Sequence, residues 1–211
     1  MLLLSSVFLH ESGEKFIPSL KINNKIGNNT PNVRDVNYVK TVFNTIQSLI
    51  KENKIVAGHD VASGGLITTL LEMCFAANNL GAEIDLTDLG EKDTFKVLFA
   101  ENASIVIQSE DDSIETELSN ANIEYHKIGE VTESDVLGVI NNNQVYTMTV
   151  SRLRDIWYRT SYLLDQKQTA NDLATDRYNN YKNQPLTYNF PSHFTGQLPK
   201  LNSKQSRPKA A

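Results

Sequence analysis

The 211-residue chain is 40% hydrophobic and 21% charged, ordinary globular usage that suits one domain with appendages or at most two small domains. A net charge of −5 offers no basic surface for nucleic acid. The single cysteine, Cys74, excludes an internal disulfide, no Cys/His cluster has metal-site spacing, and a cytoplasmic setting is the default.

The chain opens with MLLLSSVFL, an apolar run too short to span a bilayer and without the basic region of a signal peptide. It reads as a buried strand over residues 2–9, and no membrane partner is expected. A loop rich in Asn, Gly and Pro covers 23–31. Asp35 then opens a helical pattern, with Val36, Val39, Val42, Phe43, Ile46, Leu49 and Ile50 on one face.

Next comes IVAGHDVASGGLITTLLEMCFAAN, residues 55–78. Ile55, Val56 and Ala57 read as a short interior strand, and Leu66, Ile67, Leu70, Leu71, Met73 and Cys74 recur at helical spacing. Between them lie His59, Asp60, Ser63, Gly64 and Gly65. Glycines let the backbone take positive φ or approach a ligand closely, and a helix start carries unpaired N–H groups and partial positive charge, which together make an anion site. Asp60 at the strand end is placed to hold a divalent cation against a bound phosphate. The alternative is a tight strand-to-helix turn with glycines for geometry and an Asp for a cap; one Gly pair does not decide between them.

Further on, residues 82–86 alternate like a strand, 94–99 form a short helix, and 104–108 another apolar strand. A helix over 111–121 has an acidic first turn that suits its dipole. Residues 124–131, 136–140 and 144–150 alternate, with Asn142-Asn143 marking a hairpin turn. Residues 150–164 carry apolar side chains at helical spacing, a more polar helix is expected over 166–181, and 183–211 holds four of the six prolines and little periodicity. Strands alternating with helices and then a hairpin give an α/β or α+β fold, one mixed sheet covered by helices.

Single residues admit competing roles. Cys74, on the apolar face beside Met73 and Phe75, reads as a buried structural thiol rather than a nucleophile. His59 either serves as a general acid or base or hydrogen-bonds the loop. Glu72 reads as a solvated or capping residue, with site involvement the alternative. Arg152, Arg154 and Arg159 either clamp a phosphate or pair with surface acids.

The segment GHDVASGGLITTLLEMCFAANNLGAEIDLTDLG resembles the second synthetase-like half of the large, single-chain phosphoribosylformylglycinamidine synthases. LFAENASIVIQ, then DIWYRTSYLLDQKQTANDLATDRYNNYKNQPLTYNFP, are similar to the same family in the same order, as is KIGNNTPNVRDVNYVKTVFNTIQSLI upstream, so the likeness covers roughly residues 22–200. It implies a domain like the C-terminal domain of aminoimidazole ribonucleotide synthetase. It divides the chain into a partial N-terminal segment (1–34), the synthetase C-terminal-like domain (35–165), a helical or extended strap (166–200) and a linker (201–211) toward a glutaminase domain. It also implies ATP or ADP and Mg²⁺ as cofactors, with Asp60 as metal ligand and His59, Ser63, Gly64 and Gly65 toward the nucleotide. Relatives carry Ser two residues after the Asp, where this chain has Ala62, and residues 1–20 depart from the family's phosphate loop. The implied activity is that of a glutamine-dependent, carbon–nitrogen bond-forming ligase of purine biosynthesis acting on formylglycinamide ribonucleotide. The missing synthetase and glutaminase domains would be its partners, and the isolated chain is expected to be inactive. Two other classes stay open: an interaction or structural module holding an auxiliary nucleotide, and a small-molecule kinase of the same fold.

Overall fold

A computed structural model describes residues 3–8, 35–183 and 189–196. Expectations for the loop at 23–31 and for most of the proline-rich tail fall outside those residues.

Seven strands form one mixed sheet in the order β2-β4-β1-β5-β3-β6-β7. In chain order they are β1 (Leu3–Phe8), β2 (Ala57–Asp60), β3 (Gly81–Asp85), β4 (Ser104–Ser109), β5 (Tyr125–Thr132), β6 (Val136–Asn141) and β7 (Gln144–Thr149). The helices are α1 (Val36–Lys51), α2 (Gly65–Cys74), α3 (Thr94–Leu98), α4 (Ser113–Asn120), α5 (Val150–Gln168) and α6 (Leu173–Asn180). Strand β1 lies mid-sheet, antiparallel to β4 and β5. β3 and β6 run parallel; every other described pair is antiparallel.

Side chains alternate across a strand, so neighbours on β4 serve opposite faces. Val106 joins Leu66, Ile67, Leu70, Ile84, Leu137 and Val150 in the larger core, under α2, α3 and the start of α5. Ile107 joins Val42, Ile46, Leu49, Ile114 and Leu118 beneath α1 and α4. Helices therefore cover both faces at β4. α1 begins where its sequence says it should: Asp35 Oδ1 accepts from the Asn37 and Tyr38 amides at 2.8 and 3.1 Å, satisfying two of the four orphan donors of a helix start. The β6–β7 hairpin turns at Asn142, whose φ of 53° is the left-handed conformation that Asn tolerates.

Two expectations are corrected. The strand expected at 55–57 is not interior. β2 starts at Ala57 and ends at Asp60, pairs only with β4 at the edge of the described sheet, and leaves Val56 46% exposed. Ile55 is apolar because it packs against the α1 core from below the strand, not because the strand is buried. The single helix expected at 166–181 is two pieces. α5 runs on to Gln168, a turn follows with Asn171 and Asp172 at positive φ, and α6 folds back on α5. Stacked pairs Tyr158–Tyr181 (4.2 Å) and Tyr162–Tyr178 (4.5 Å) join these helices.

The helices found at 36–51, 65–74 and 94–98, the strands at 104–109, 125–132 and 136–141, and the mixed α+β architecture itself agree with the sequence reading.

Candidate functional site

The site is the end of edge strand β2, the loop 61–64 and the first turns of α2. Gly64 and Gly65 both have positive φ, 96° and 74°. They need glycine for different reasons. A Cβ on Gly65 would sit 2.7 Å from the Leu98 carbonyl oxygen and 2.7 Å from the Phe99 carbonyl carbon, so the start of α2 packs directly on the end of α3. A Cβ on Gly64 would instead meet the Thr68 side chain, at 2.3 Å from Oγ1. Gly65 is thus fixed by backbone packing, whereas Gly64 lies in the half-open loop and Ser63 is exposed beside it.

The amides here are engaged. Gly65 N–H donates to the Ala62 carbonyl at 3.0 Å, and Gly64 N–H donates to Glu101 Oε1, also at 3.0 Å. A carboxylate at the positive end of α2 is electrostatically favourable. Glu101 comes from the segment after α3, 37 residues away in sequence, and only folding brings it here.

Asp60 splits into a fixed backbone and an available side chain. Its carbonyl accepts from Thr69 Oγ1 at 3.1 Å and from His59 Nδ1 at 2.8 Å; a carbonyl only accepts, so that nitrogen carries a proton. Its carboxylate is 76% exposed, with Oδ1 at 3.6 Å from His59 Nδ1. The other His59 nitrogen, Nε2, lies 3.0 Å from Glu72 Oε2. His59 is thus a hydrogen-bonding member of the loop. Glu72 is neither solvated nor a cap, since its second oxygen accepts from the Trp157 indole at 3.1 Å. Sequence pattern missed Glu101 and kept contact with the site for Glu72 only as the alternative; the one signal favouring it was the lack of a basic residue three or four positions away on its helix.

Among the described residues no three His, Cys, Asp or Glu side chains cluster as a metal cage. One exposed carboxylate nonetheless fits Mg²⁺, which keeps several waters and is commonly bound by one or two carboxylates together with substrate phosphates.

Two other candidates resolve structurally. Cys74 is buried, and burial pushes its thiol up to about 11, which disfavours the thiolate a nucleophile needs. Arg154 is occupied within the fold rather than at its surface. It is buried, with Nη1 donating to the Phe75 and Ala77 carbonyls at 3.2 Å each and Nη2 to Asn78 Oδ1 at 2.7 Å. A guanidinium there satisfies the orphan carbonyls and the negative end of the α2 dipole. Arg152 and Arg159 are exposed on α5.

The sheet, the His-Asp strand end and the glycine turn into α2 all lie within a stretch that matches one domain class. The chain belongs to the family described as AIR synthase related protein, C-terminal domain, which matches residues 2–141. Within that class it is 37% identical over 148 residues to the probable phosphoribosylformylglycinamidine synthase, chloroplastic/mitochondrial, of Arabidopsis thaliana. That alignment covers 68% of this chain and 10% of the plant protein, so the chain spans about a tenth of that relative. Two Thermotoga maritima structures share the fold. PurL complexed with ATP superposes with a TM-score of 0.55 at 16% identity, covering 72% of this chain and 25% of that one. PurL complexed with FGAR gives 0.57 at 17%, covering 72% and 27%. Among the described residues no helix is long and apolar enough to cross a membrane.

Proposed function

We propose that this chain forms one wall of a Mg²⁺–nucleotide site in an ATP-dependent phosphoribosylformylglycinamidine synthase. The observation that carries the reading is the exposed Asp60 carboxylate on a doubly anchored backbone, next to a glycine helix start, in a chain 37% identical to such a synthase. In this reading Asp60 binds Mg²⁺ jointly with nucleotide phosphates. Gly64 N–H meets a phosphate oxygen where the Glu101 carboxylate now sits, with Ser63, Gly65 and His59 completing the loop. Bound there, Mg²⁺ would neutralise phosphate charge. The overall reaction is amidation of formylglycinamide ribonucleotide: ATP phosphorylates the formamide oxygen, and ammonia released from glutamine replaces the phosphate. The rest of the synthase, including its glutaminase, supplies what one loop cannot, because phosphoryl transfer needs nucleotide and acceptor held in line. The compartment proposed is the cytoplasm, in keeping with a lone, buried free thiol.

Exposed apolar residues support the expected neighbours. Ile156 (56%), Leu163 (49%) and Leu164 (56%) on α5 are a surface suited to packing against further synthase domains. In a full-length synthase carrying this sequence, Asp60→Asn should weaken Mg²⁺–ATP binding at least about tenfold, equivalent to about 1.4 kcal/mol, with the melting temperature unchanged. Unaltered affinity and metal requirement in that variant would overturn the assignment. The pure 211-residue chain should not turn over ATP with formylglycinamide ribonucleotide and ammonia; turnover at enzyme-like rates would refute a composite site.

A further inference from the structure

We propose that Glu72 is the positioning residue of this site: pinned by Trp157, it holds His59, and through His59 it fixes the Asp60 backbone that aims the exposed carboxylate. The inference rests on the nucleotide reading above and adds residues to it.

The contacts link α5, α2 and β2 without a gap, with Glu72 the acceptor at its centre. Trp157 Nε1 on α5 donates to Glu72 Oε1 on α2 at 3.1 Å. Glu72 Oε2 meets His59 Nε2 on β2 at 3.0 Å, and His59 Nδ1 donates to the Asp60 carbonyl at 2.8 Å. Thr69 Oγ1, also from α2, donates to the same carbonyl at 3.1 Å, and the next amide, Val61 N–H, is tied to the Ser104 carbonyl at 2.8 Å. The Asp60 peptide is thus held on three sides while its carboxylate stays 76% exposed. The edge strand and α2 are joined there by side chains rather than by the sheet ladder alone.

Glu72 is poorly explained as an ordinary surface carboxylate. Its side chain is only 27% exposed, and the positions three and four away on its helix, Thr68, Thr69, Phe75 and Ala76, offer no positive charge. A half-buried carboxylate must be hydrogen-bonded, and each of its oxygens has a distinct partner from another element. Trp157 is itself held by packing against Phe75 (6.0 Å) and Tyr158 (4.9 Å), so its indole N–H presents a fixed donor. Such outer partners orient the groups that touch a metal, and losing one typically costs about tenfold or more in metal affinity.

The test uses the ¹⁵N-labelled 211-residue chain at a single fixed pH, with the Mn²⁺–ATP complex as paramagnetic probe. Trp157, the only tryptophan, gives one indole resonance. Glu72→Gln should shift both the indole and the His59 ring resonances. Trp157→Phe should shift the His59 ring through Glu72, which meets both side chains. Mn²⁺–ATP should broaden the Asp60 amide in the parent chain, with about a tenfold higher concentration needed in Glu72→Gln and in Trp157→Phe. Unmoved His59 resonances in both variants overturn the positioning role whatever the site binds. Equal Mn²⁺–ATP sensitivity in Glu72→Gln and the parent, while Asp60→Asn abolishes it, also overturns it and leaves the nucleotide reading standing. Broadening that persists undiminished in Asp60→Asn removes Asp60 from the nucleotide site and with it the role proposed for Glu72.

Discussion

Gly65→Ala separates the two readings of the glycine pair. At φ 74° an alanine pays the left-handed penalty, about 1–2 kcal/mol. Its Cβ would also lie 2.7 Å from the Leu98 oxygen and 2.8 Å from Phe99 Cα, which are backbone atoms that cannot rotate away. Forcing α2 and the end of α3 apart adds about 1–3 kcal/mol, the usual range for overpacking. The total, about 2–5 kcal/mol, is a large fraction of the 5–15 kcal/mol typical of a domain (order of magnitude). Gly90 supplies the control: its φ is 72° and a Cβ there meets nothing within 4 Å, so Gly90→Ala should cost only the left-handed term. Urea unfolding of both variants, followed by far-UV circular dichroism, reads the difference directly. Gly64→Ala should fall between them, and adding Thr68→Ala should recover part of the difference, since it removes Oγ1 at 2.3 Å but keeps Cβ at 3.0 Å. If Gly65→Ala and Gly90→Ala unfold at the same urea concentration, contact with residues 98 and 99 contributes nothing, and the argument from packing is wrong.

What sequence could and could not reveal follows the range of the contacts. α1 was readable because its cap lies within three residues of the amides it serves and its buried side chains recur at helical spacing. The β6–β7 turn was readable for the same local reason. His59, Asp60 and the glycines were visible as a motif, but their geometry was not. Glu72 meets a histidine 13 positions back and a tryptophan 85 positions on, Glu101 reaches Gly64 across 37, and Arg154 reaches its carbonyls across 77 and 79. Periodicity registers only that these residues are charged. It cannot say that Arg154 is buried, because a buried arginine and an exposed one break an apolar stripe alike. The misplaced interior strand has the same origin: Ile55 is apolar on account of α1, a partner that hydropathy along the strand does not reveal.

Arg154→Met should cost about 2–4 kcal/mol in urea unfolding, because methionine keeps the packing but leaves the Phe75 and Ala77 carbonyls and Asn78 Oδ1 without their charged donor; a change within experimental error would refute the capping role. The α5–α6 pair should loosen in acid, and the sign can be worked out from its two carboxylates. Hydrogen bonds from Arg177, then Thr169, hold Asp165 below the ordinary value of 3.8. At Asp155 burial pushes upward, but hydrogen bonds from Lys182 and Tyr181 and the charges of Lys182 and Arg154 outweigh it, so this group too is lowered. A carboxylate depressed in the folded state contributes stability that is complete above its unfolded value and disappears as pH falls through the folded one. α6 should therefore be fully docked above about pH 4 and lose protection below it. Amide exchange over Leu173–Asn180 measures this, and Asp165→Asn should remove much of the acid dependence by abolishing the Arg177 contact, which is bidentate at 2.6 and 2.8 Å. Loss of α6 protection on raising pH from about 5 to 8, or an acid response unchanged in Asp165→Asn, would show that these pairs do not hold the two helices together.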